Sequence, residues 1–302
     1  MNHPIRFHVL LLPNQPWPEL RRRALHCEAL GFDLIGIADH FIDWTKPEAD
    51  WFESWSVMAA LADATSTIRL TTLVSQIPLR NPAMLARQAL TLDHVSNGRI
   101  EVGLGTGLTI DPSYGMTGIP NWEIGERVDR FAEYVAIVET LLANEQSSFA
   151  GRYYQIDGAW MRPRPIQQPH PPILIAALAP RMIRLAARHA QVWNSLSFKE
   201  EPAAQLAETA ERIDLMRSAC QAIGRDPHEV RVSYTLFDAT ARHRGGSIGY
   251  LESTDAFRAQ VEPLIALGVT DIGLYYPIDP AQMPAFEAIA TAVFPDLRSQ
   301  GS

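Results

Sequence analysis

The sequence predicts an α/β protein, a single (β/α)8 barrel with insertions over residues 1–302, and three observations carry that prediction. Eight short apolar segments alternate with eight helical ones along the chain. The stretch Ile68 to Gly107 reads as strand, loop, helix and strand, a βαβ unit with parallel strands and a right-handed crossover. Its 302 residues leave room for a barrel of about 250 residues with additions. An open doubly wound sheet shares the alternation and differs by a reversal of strand order.

Ile5–Leu12 is apolar almost throughout, as a buried parallel strand is. Over Trp17–Gly31, Leu20, Ala24, Leu25, Cys27 and Leu30 recur at helical spacing, with Arg21, Arg22 and Arg23 around them and Gly31 as the stop. Asp33–Ala38 is the second strand and runs into Asp39-His40-Phe41. A loop with Trp44, Lys46 and Trp51 leads to a helix over Glu53–Thr65. Ile68–Val74 is the third strand. Asn81-Pro82 starts a helix as N-cap and first-turn proline. Met84, Leu85, Gln88, Ala89, Leu92 and Val95 continue it, and Asn97-Gly98 ends it. Arg99–Leu104 is the fourth strand.

A Gly- and Pro-rich loop through Ile119-Pro120 precedes a long helix over Glu123–Asn144, and Phe149–Ile156 reads as a short β excursion. The proline-dense stretches Met161–Pro165 and Gln168–Pro172 form an extended lead-in to strand five, Ile173–Ala176. Three more strands follow at Val192–Ser195, Glu229–Leu236 and Thr270–Tyr275. The helices Pro180–Ala190, Glu201–Ile223, Thr254–Leu267 and Pro280–Phe294 alternate with them.

Composition narrows the function classes. Net charge is −8 without a long basic run, which argues against nucleic acid or an anionic membrane as partner. Lys46 and Lys199 are the only lysines. Cys27 and Cys220 sit in helical patterns, which suits free thiols in a reducing compartment. With no apolar run near the ~20 residues of a membrane span and no secretory leader pattern, the expectation is a cytoplasmic protein.

In a barrel the carboxyl ends of the strands converge on one mouth. The polar residues there are Asn14 and Gln15, then Asp39, His40 and Trp44, then Thr71, Thr72, Ser75 and Gln76. Gly105-Thr106-Gly107, Ala176-Ala177-Leu178-Ala179-Pro180, Asn194, Ser195, Ser197 and Tyr275-Tyr276 complete the set. No metal-ligand spacing, nucleophile elbow or P-loop is present, so no metal is expected. Gly103–Gly107 is either a tight strand exit or a phosphate cradle. Ala176–Pro180 is either a plain βα turn or an anion site at a helix N-terminus. His40 is either a structural hydrogen-bond partner or an acid–base group with one ring nitrogen held by Asp39. Trp44 and Trp51 either pack the loop or wall a flat cofactor. Glu126 and Arg127 read as a helix-surface pair.

The chain resembles the luciferase-like monooxygenase superfamily, the bacterial-luciferase-type barrels that bind FMN or the deazaflavin coenzyme F420. The resemblance runs through Gly31-Phe32-Asp33-Leu34-Ile35-Gly36-Ile37-Ala38-Asp39-His40-Phe41, Leu79-Arg80-Asn81-Pro82 and Leu92-Asp93-His94-Val95-Ser96-Asn97-Gly98-Arg99. Gly103–Gly107, Arg162-Pro163, Pro171-Pro172-Ile173 and Val192-Trp193-Asn194 extend it. Asp39-His40-Phe41 with Trp44 is similar to the F420-dependent branch.

That resemblance implies His40 as the proton-handling residue, Trp44 at the substrate pocket and Asp39 at the cofactor ring. It implies a non-proline cis peptide at Thr72-Leu73 bracing the ring. Gly105, Thr106 and Gly107, with Ala176, Ala177, Leu178 and Ala179, would place the cofactor phosphate and side chain. The sugar-phosphate dehydrogenases of this branch carry a glutamate where Leu108 stands, and their basic cluster has no match here. Leu108, Ile110, Trp17 and Trp44 instead suit a small, fairly apolar substrate. The expected activity is hydride transfer between F420 and that substrate. The alternatives are an FMN-dependent monooxygenase using oxygen and a non-catalytic flavin-binding barrel. A homodimer is implied, as is a reductase partner in the FMN case.

Overall fold

The computed structural model describes residues 3–43 and 46–300. In chain order the elements are β1 (Arg6–Leu11), α1 (Trp17–Ala29), β2 (Leu34–Ile37), α2 (Ser54–Ala64), β3 (Arg69–Thr72), β4 (Ser75–Gln76), α3 (Pro82–Val95) and β5 (Val102–Gly105). Next come α4 (Ser113–Thr117), α5 (Ile124–Ala143), β6 (Gln146–Ala150), β7 (Gln155–Trp160), β8 (Ile173–Ala176), α6 (Pro180–His189) and β9 (Val192–Ser195). The chain ends with α7 (Pro202–Ala222), β10 (Arg231–Thr235), α8 (Thr254–Ala266), β11 (Asp271–Tyr275), α9 (Met283–Ala288) and α10 (Phe294–Gln300).

Nine strands hydrogen bond in the order β3-β2-β1-β11-β10-β9-β8-β5-β4. Leu70 of β3 bridges Ile100, just ahead of β5, in parallel, so the sheet is a nearly closed parallel barrel. β6 and β7 form a separate antiparallel hairpin, so the β excursion expected over Phe149–Ile156, with its turn at Gly151-Arg152, is present and its arms reach out to Gln146 and Trp160.

The third barrel strand is interrupted rather than continuous. β3 pairs on one side, β4 pairs with β5, and the Leu73–Val74 peptide between them is cis. This corrects the expected Thr72-Leu73 position by one residue. The reason lies in the pairing: the Leu73 N–H still donates to the Ile37 carbonyl at 2.8 Å, so strand geometry persists through Leu73 and breaks only after it.

By compactness the chain divides into two units. The first contains Met1–Leu11, His26–Ile35 and Ala177–Ser302. Its buried polar centre is Asp271, which takes Arg6 Nη2 at 2.6 Å and His8 Nδ1 at 2.8 Å. Gly273 lies so close to this centre that a Cβ there would sit 2.0 Å from the His8 ring. Phe7 stacks on Phe294 with ring centroids 3.7 Å apart, and Phe257 packs against both. The last helical region continues past the expected end at Phe294: a π-turn over Ile289–Val293 joins α9 to α10 and keeps Ile289, Val293, Phe294 and Leu297 buried.

The second unit contains Leu12–Leu25 and Gly36–Ala176. Asn81 caps α3 through the N–H of Ala83 at 2.9 Å, and Asn97 and Gly98 adopt positive φ just past its end. Arg99 then binds the carbonyls of Ala62, Thr65 and Ile68, tying the end of α2 to the start of β3. Buried Asp93 receives the Gln167 N–H at 3.0 Å and its side-chain amide at 2.8 Å. The Leu92–Arg99 motif is thus accounted for by chain closure rather than chemistry.

Candidate active site

Three carboxyl-terminal strand exits of the second unit carry the site, those of β2, β4 and β5, the last continuing as the loop from Gly107 to α4. His40 follows β2 and is partly exposed. Its Nδ1 lies 2.8 Å from Asp111 Oδ2. Asp111 itself is buried, and its Oδ1 accepts the Ser113 N–H at 2.8 Å, fixing the start of α4. Burial alone would raise the Asp111 carboxyl, but hydrogen bonds from His40, Ser113 and Gln76 outweigh it and hold the pKa at about 2. An ionised carboxylate only accepts, so the proton between it and His40 belongs to Nδ1. Nε2 lies at the other side of the ring, and no described residue hydrogen bonds to it.

Asp111, not the adjacent Asp39, therefore holds the imidazole, which corrects the sequence expectation. Asp39 is buried and committed elsewhere: Arg80 grips it with both terminal nitrogens, one at 3.0 Å. Burial raises the Asp39 carboxyl against the pull of Arg80. Arg80 also reaches Glu53, which caps α2 through the Ser56 N–H at 2.7 Å. Trp51 donates its Nε1–H to the His40 carbonyl at 2.9 Å and sets its ring edge-on to the imidazole. Trp44 lies outside the described residues.

Gln76, the last residue of β4, orders the interior of the site. Its amide nitrogen donates to the Asp39 carbonyl at 2.9 Å and approaches Asp111 Oδ2 at 3.3 Å. Its Oε1 accepts from the Tyr114 hydroxyl, which burial pushes up and so keeps protonated. Arg127 packs its guanidinium over the Tyr114 ring at 4.7 Å and donates to the carbonyls of Thr106 at 2.8 Å and Trp122 at 2.7 Å. Arg127 is buried and Glu126 pairs with Arg130, so the expected Glu126–Arg127 surface pair is not formed. On α5, Arg127 shares the stripe of Phe131, Tyr134 and Val138, which faces inward.

The glycines at the end of β5 have packing reasons. A Cβ on Gly103 would sit 1.8 Å from the Thr72 carbonyl oxygen, and one on Gly105 2.5 Å from Val74 Cγ2. Gly107 has φ +74, and a Cβ there would meet the Tyr114 hydroxyl at 2.2 Å and Gln76 Oε1 at 2.6 Å. Thr72 is buried, with Oγ1 on Ser75 Oγ at 2.9 Å and the Gly103 carbonyl at 3.0 Å. Leu73, Val74 and Thr106 are half-buried, and Leu108 and Ile110 are exposed on the turn that carries Asp111.

Of the sequence-predicted residues, the second unit thus brings together Asp39, His40, Thr72, Leu73, Gly105, Thr106 and Gly107, and it ends with Ala176 at the tip of β8. Ala177, Leu178 and Ala179 belong to the first unit. There the Ala177 N–H goes to the Asn194 carbonyl at 3.0 Å and its own carbonyl takes Trp193 Nε1 at 2.9 Å. The N–H groups of Leu178 and Ala179 meet no described acceptor, and Pro180 opens α6. The first unit also carries a cleft at the end of β10, lined by Gln205, Phe237, Asp238, Thr240, Arg244 and Tyr250. None of the predicted site residues line it.

Asp111, Arg80, Tyr114 and Arg127 were not singled out for the site by sequence reasoning. Asp111-Pro112-Ser113 is a helix-start signal for α4, and an arginine on the apolar stripe of α5 marks a buried charge with a specific task. Gln76 was visible only as one of several polar strand-end residues.

An α/β barrel with its polar network at the strand exits defines an enzyme-like class. The chain belongs to the luciferase-like monooxygenase family, which it matches over residues 1–266. It is 31% identical over 249 residues to an F420-dependent glucose-6-phosphate dehydrogenase of Intrasporangium calvum, covering 76% of this chain and 73% of that protein. It is 30% identical over 211 residues to an F420-dependent hydroxymycolic acid dehydrogenase of Mycobacterium tuberculosis, covering 70% of this chain and 56% of that one. The structure superposes on the coenzyme F420 dependent tetrahydromethanopterin reductase of Methanopyrus kandleri with a TM-score of 0.80 at 19% identity, over 98% of this chain and 100% of the other. Among the described residues no helix is long and apolar enough to cross a membrane.

Proposed function

We propose that the protein is an oxidoreductase that uses coenzyme F420 and transfers a hydride between it and a small, fairly apolar organic substrate. The observation that carries this reading is His40: its Nδ1 is held by a buried carboxylate and its Nε2 is free of described partners, at the carboxyl end of the strands. The two curated relatives above, both named as F420-dependent dehydrogenases, support the choice of cofactor. When bound, the deazaflavin would supply a two-electron hydride site.

The residues present fit a flat ring system. Leu73 and Val74 offer a half-buried apolar kink, and the backbone at Thr106–Gly107 is held open by the tight packing of Gly107. Asp39, Thr72, Gly105 and Gly107 serve by shaping this wall, because their side chains or Cα positions are already committed inside it. Ala176–Ala179, with Leu178 and Ala179 N–H groups to spare, suits the cofactor's anionic side chain. Arg80 is taken by Asp39 and Glu53, and Arg127 by backbone carbonyls, so neither is free to bind a substrate phosphate. Exposed Leu108 and Ile110 favour apolar contact instead. Residues 1–302 act as one domain in this reading.

The test is turnover of F420 with alcohol, carbonyl, imine and enone substrates, followed by its absorbance, for the wild type and His40→Ala. The variant is expected to keep F420 affinity within about threefold and lose roughly 10²–10⁴-fold in kcat. Unchanged affinity together with unchanged turnover would refute the assignment of His40.

A further inference from the structure

We infer that Asp111 is the positioning residue that makes His40 a proton acceptor: its carboxylate holds the imidazole as the Nδ1–H tautomer and presents Nε2 to the substrate. The inference rests on the hydride-transfer reading of the site and goes beyond it by naming the atom that takes the proton and the residue that selects it.

Two groups compete for Nδ1, the Asp111 carboxylate and the Gln76 amide, and the ionised carboxylate makes the stronger, charge-assisted bond. Asp111 Oδ2 is 2.8 Å from Nδ1 and Asp111 Oδ1 is fixed by the Ser113 N–H, so the carboxylate cannot turn away. The Gln76 amide nitrogen also lies 2.8 Å from Nδ1, and it would donate there if the imidazole carried its proton on Nε2. Its orientation is set from behind: Tyr114 donates to Gln76 Oε1, and Arg127 braces Tyr114. The two amide hydrogens then point to the Asp39 carbonyl and to Asp111 Oδ2, and Nδ1 is left to donate to the carboxylate.

The charged and titratable groups around the ring are few. Asp111 faces it directly from the loop after β5. Tyr114 of α4 and Arg127 of α5 act through Gln76. Asp39, Arg80 and Glu53 form a closed ion-pair set beside the backbone of His40. Trp51 contributes an uncharged edge. Leu108, three residues earlier, is apolar, and Asp111 is the acidic side chain in hydrogen-bond contact with His40. In the oxidising direction Nε2 would take the substrate's proton, and the deazaflavin, when bound, would supply the acceptor for the hydride with both bonding electrons. In the reducing direction each returns.

Asp111→Asn separates orientation from folding. The new amide oxygen can still accept the Ser113 N–H, which turns its NH2 toward Nδ1 and forces the proton onto Nε2. We expect kcat/KM to fall roughly 10²–10⁴-fold, with F420 affinity unchanged. Asp111→Glu restores part of the rate. ¹⁵N resonances of His40 in the protein without cofactor give a readout independent of turnover. The wild type is expected as the Nδ1–H tautomer and Asp111→Asn as Nε2–H. A wild-type Nε2–H tautomer would overturn the inference, as would an Asp111→Asn variant with kcat/KM within threefold of wild type. If no F420 turnover is found in any form, the functional reading fails, while the tautomer measurement still decides the role of Asp111.

Discussion

Gly107→Ala is the most informative single-atom perturbation of this site. The residue sits at φ +74, where a Cβ costs roughly 1–2 kcal/mol in the left-handed region. The same Cβ would lie 2.2 Å from the Tyr114 hydroxyl, 2.6 Å from Gln76 Oε1 and 3.1 Å from Arg127 Nη1. Tyr114 is fully buried under the Arg127 guanidinium, so its hydroxyl yields only by breaking the bond to Gln76. That leaves a buried acceptor unpaired at about 1–3 kcal/mol. The sum, about 2–5 kcal/mol, corresponds to a fall of roughly 4–10 °C in Tm at about 2 °C per kcal/mol for a chain of this size. The control is Gly115→Ala in α4, where an added Cβ meets nothing within 4 Å; it is expected to be neutral or stabilising by up to about 1 kcal/mol. Calorimetry or thermal CD on both variants decides the matter. A Gly107→Ala protein melting within about 1 °C of wild type would refute the packing described around Gln76 and Tyr114. Combining it with Tyr114→Phe, which removes the clashing atom, should recover part of the loss in a double-mutant cycle.

Three further outcomes are expected. Asp271 is fully buried, and Arg6 and His8 outweigh its burial and hold its carboxyl well below the usual carboxylate range. With the folded value depressed, its contribution is complete above about pH 4, the unfolded range, and is lost as pH falls further. Asp271→Asn should therefore cost about 3–5 kcal/mol at neutral pH and flatten the acid limb of Tm against pH, whereas a wild-type-like acid limb would contradict this. Arg127→Met should lower the stability read from urea unfolding by about 2–6 kcal/mol, for the two carbonyls of Thr106 and Trp122 left without a donor; Arg127→Lys should recover little, since one ammonium cannot span both acceptors and the Tyr114 ring. Leu108→Glu, at an exposed turn position, should leave Tm within about 1 °C and raise KM for apolar substrates roughly tenfold, whereas an unchanged KM would remove Leu108 from the substrate contacts.

The barrel was legible in the sequence because its signals are local. Ile173–Ala176 and Val192–Ser195 are apolar runs with no room for another reading, and the observed strands match them end to end. Asn81-Pro82 and Asn97-Gly98 mark the two ends of α3 by capping chemistry alone. The misplaced features depend on distant partners. The break of the third strand falls after Leu73 because Ile37, far off in sequence, still accepts its N–H. The tethering of His40 reaches 71 residues on to Asp111, whereas sequence proximity pointed to Asp39, whose carboxylate Arg80 had already claimed. Arg127 looked like a surface residue because its neighbour Glu126 is one; its place on the inward stripe of α5 was the available warning.

Separate titrations of the purified protein with oxidised F420 and with FMN, followed by tryptophan quenching and cofactor fluorescence, test the central claim most directly. The account predicts micromolar or tighter binding of F420 and weak binding of FMN. Tight FMN binding without F420 binding would contradict it and make oxygen the expected co-substrate. Binding of neither would shift the reading to a barrel without flavin chemistry.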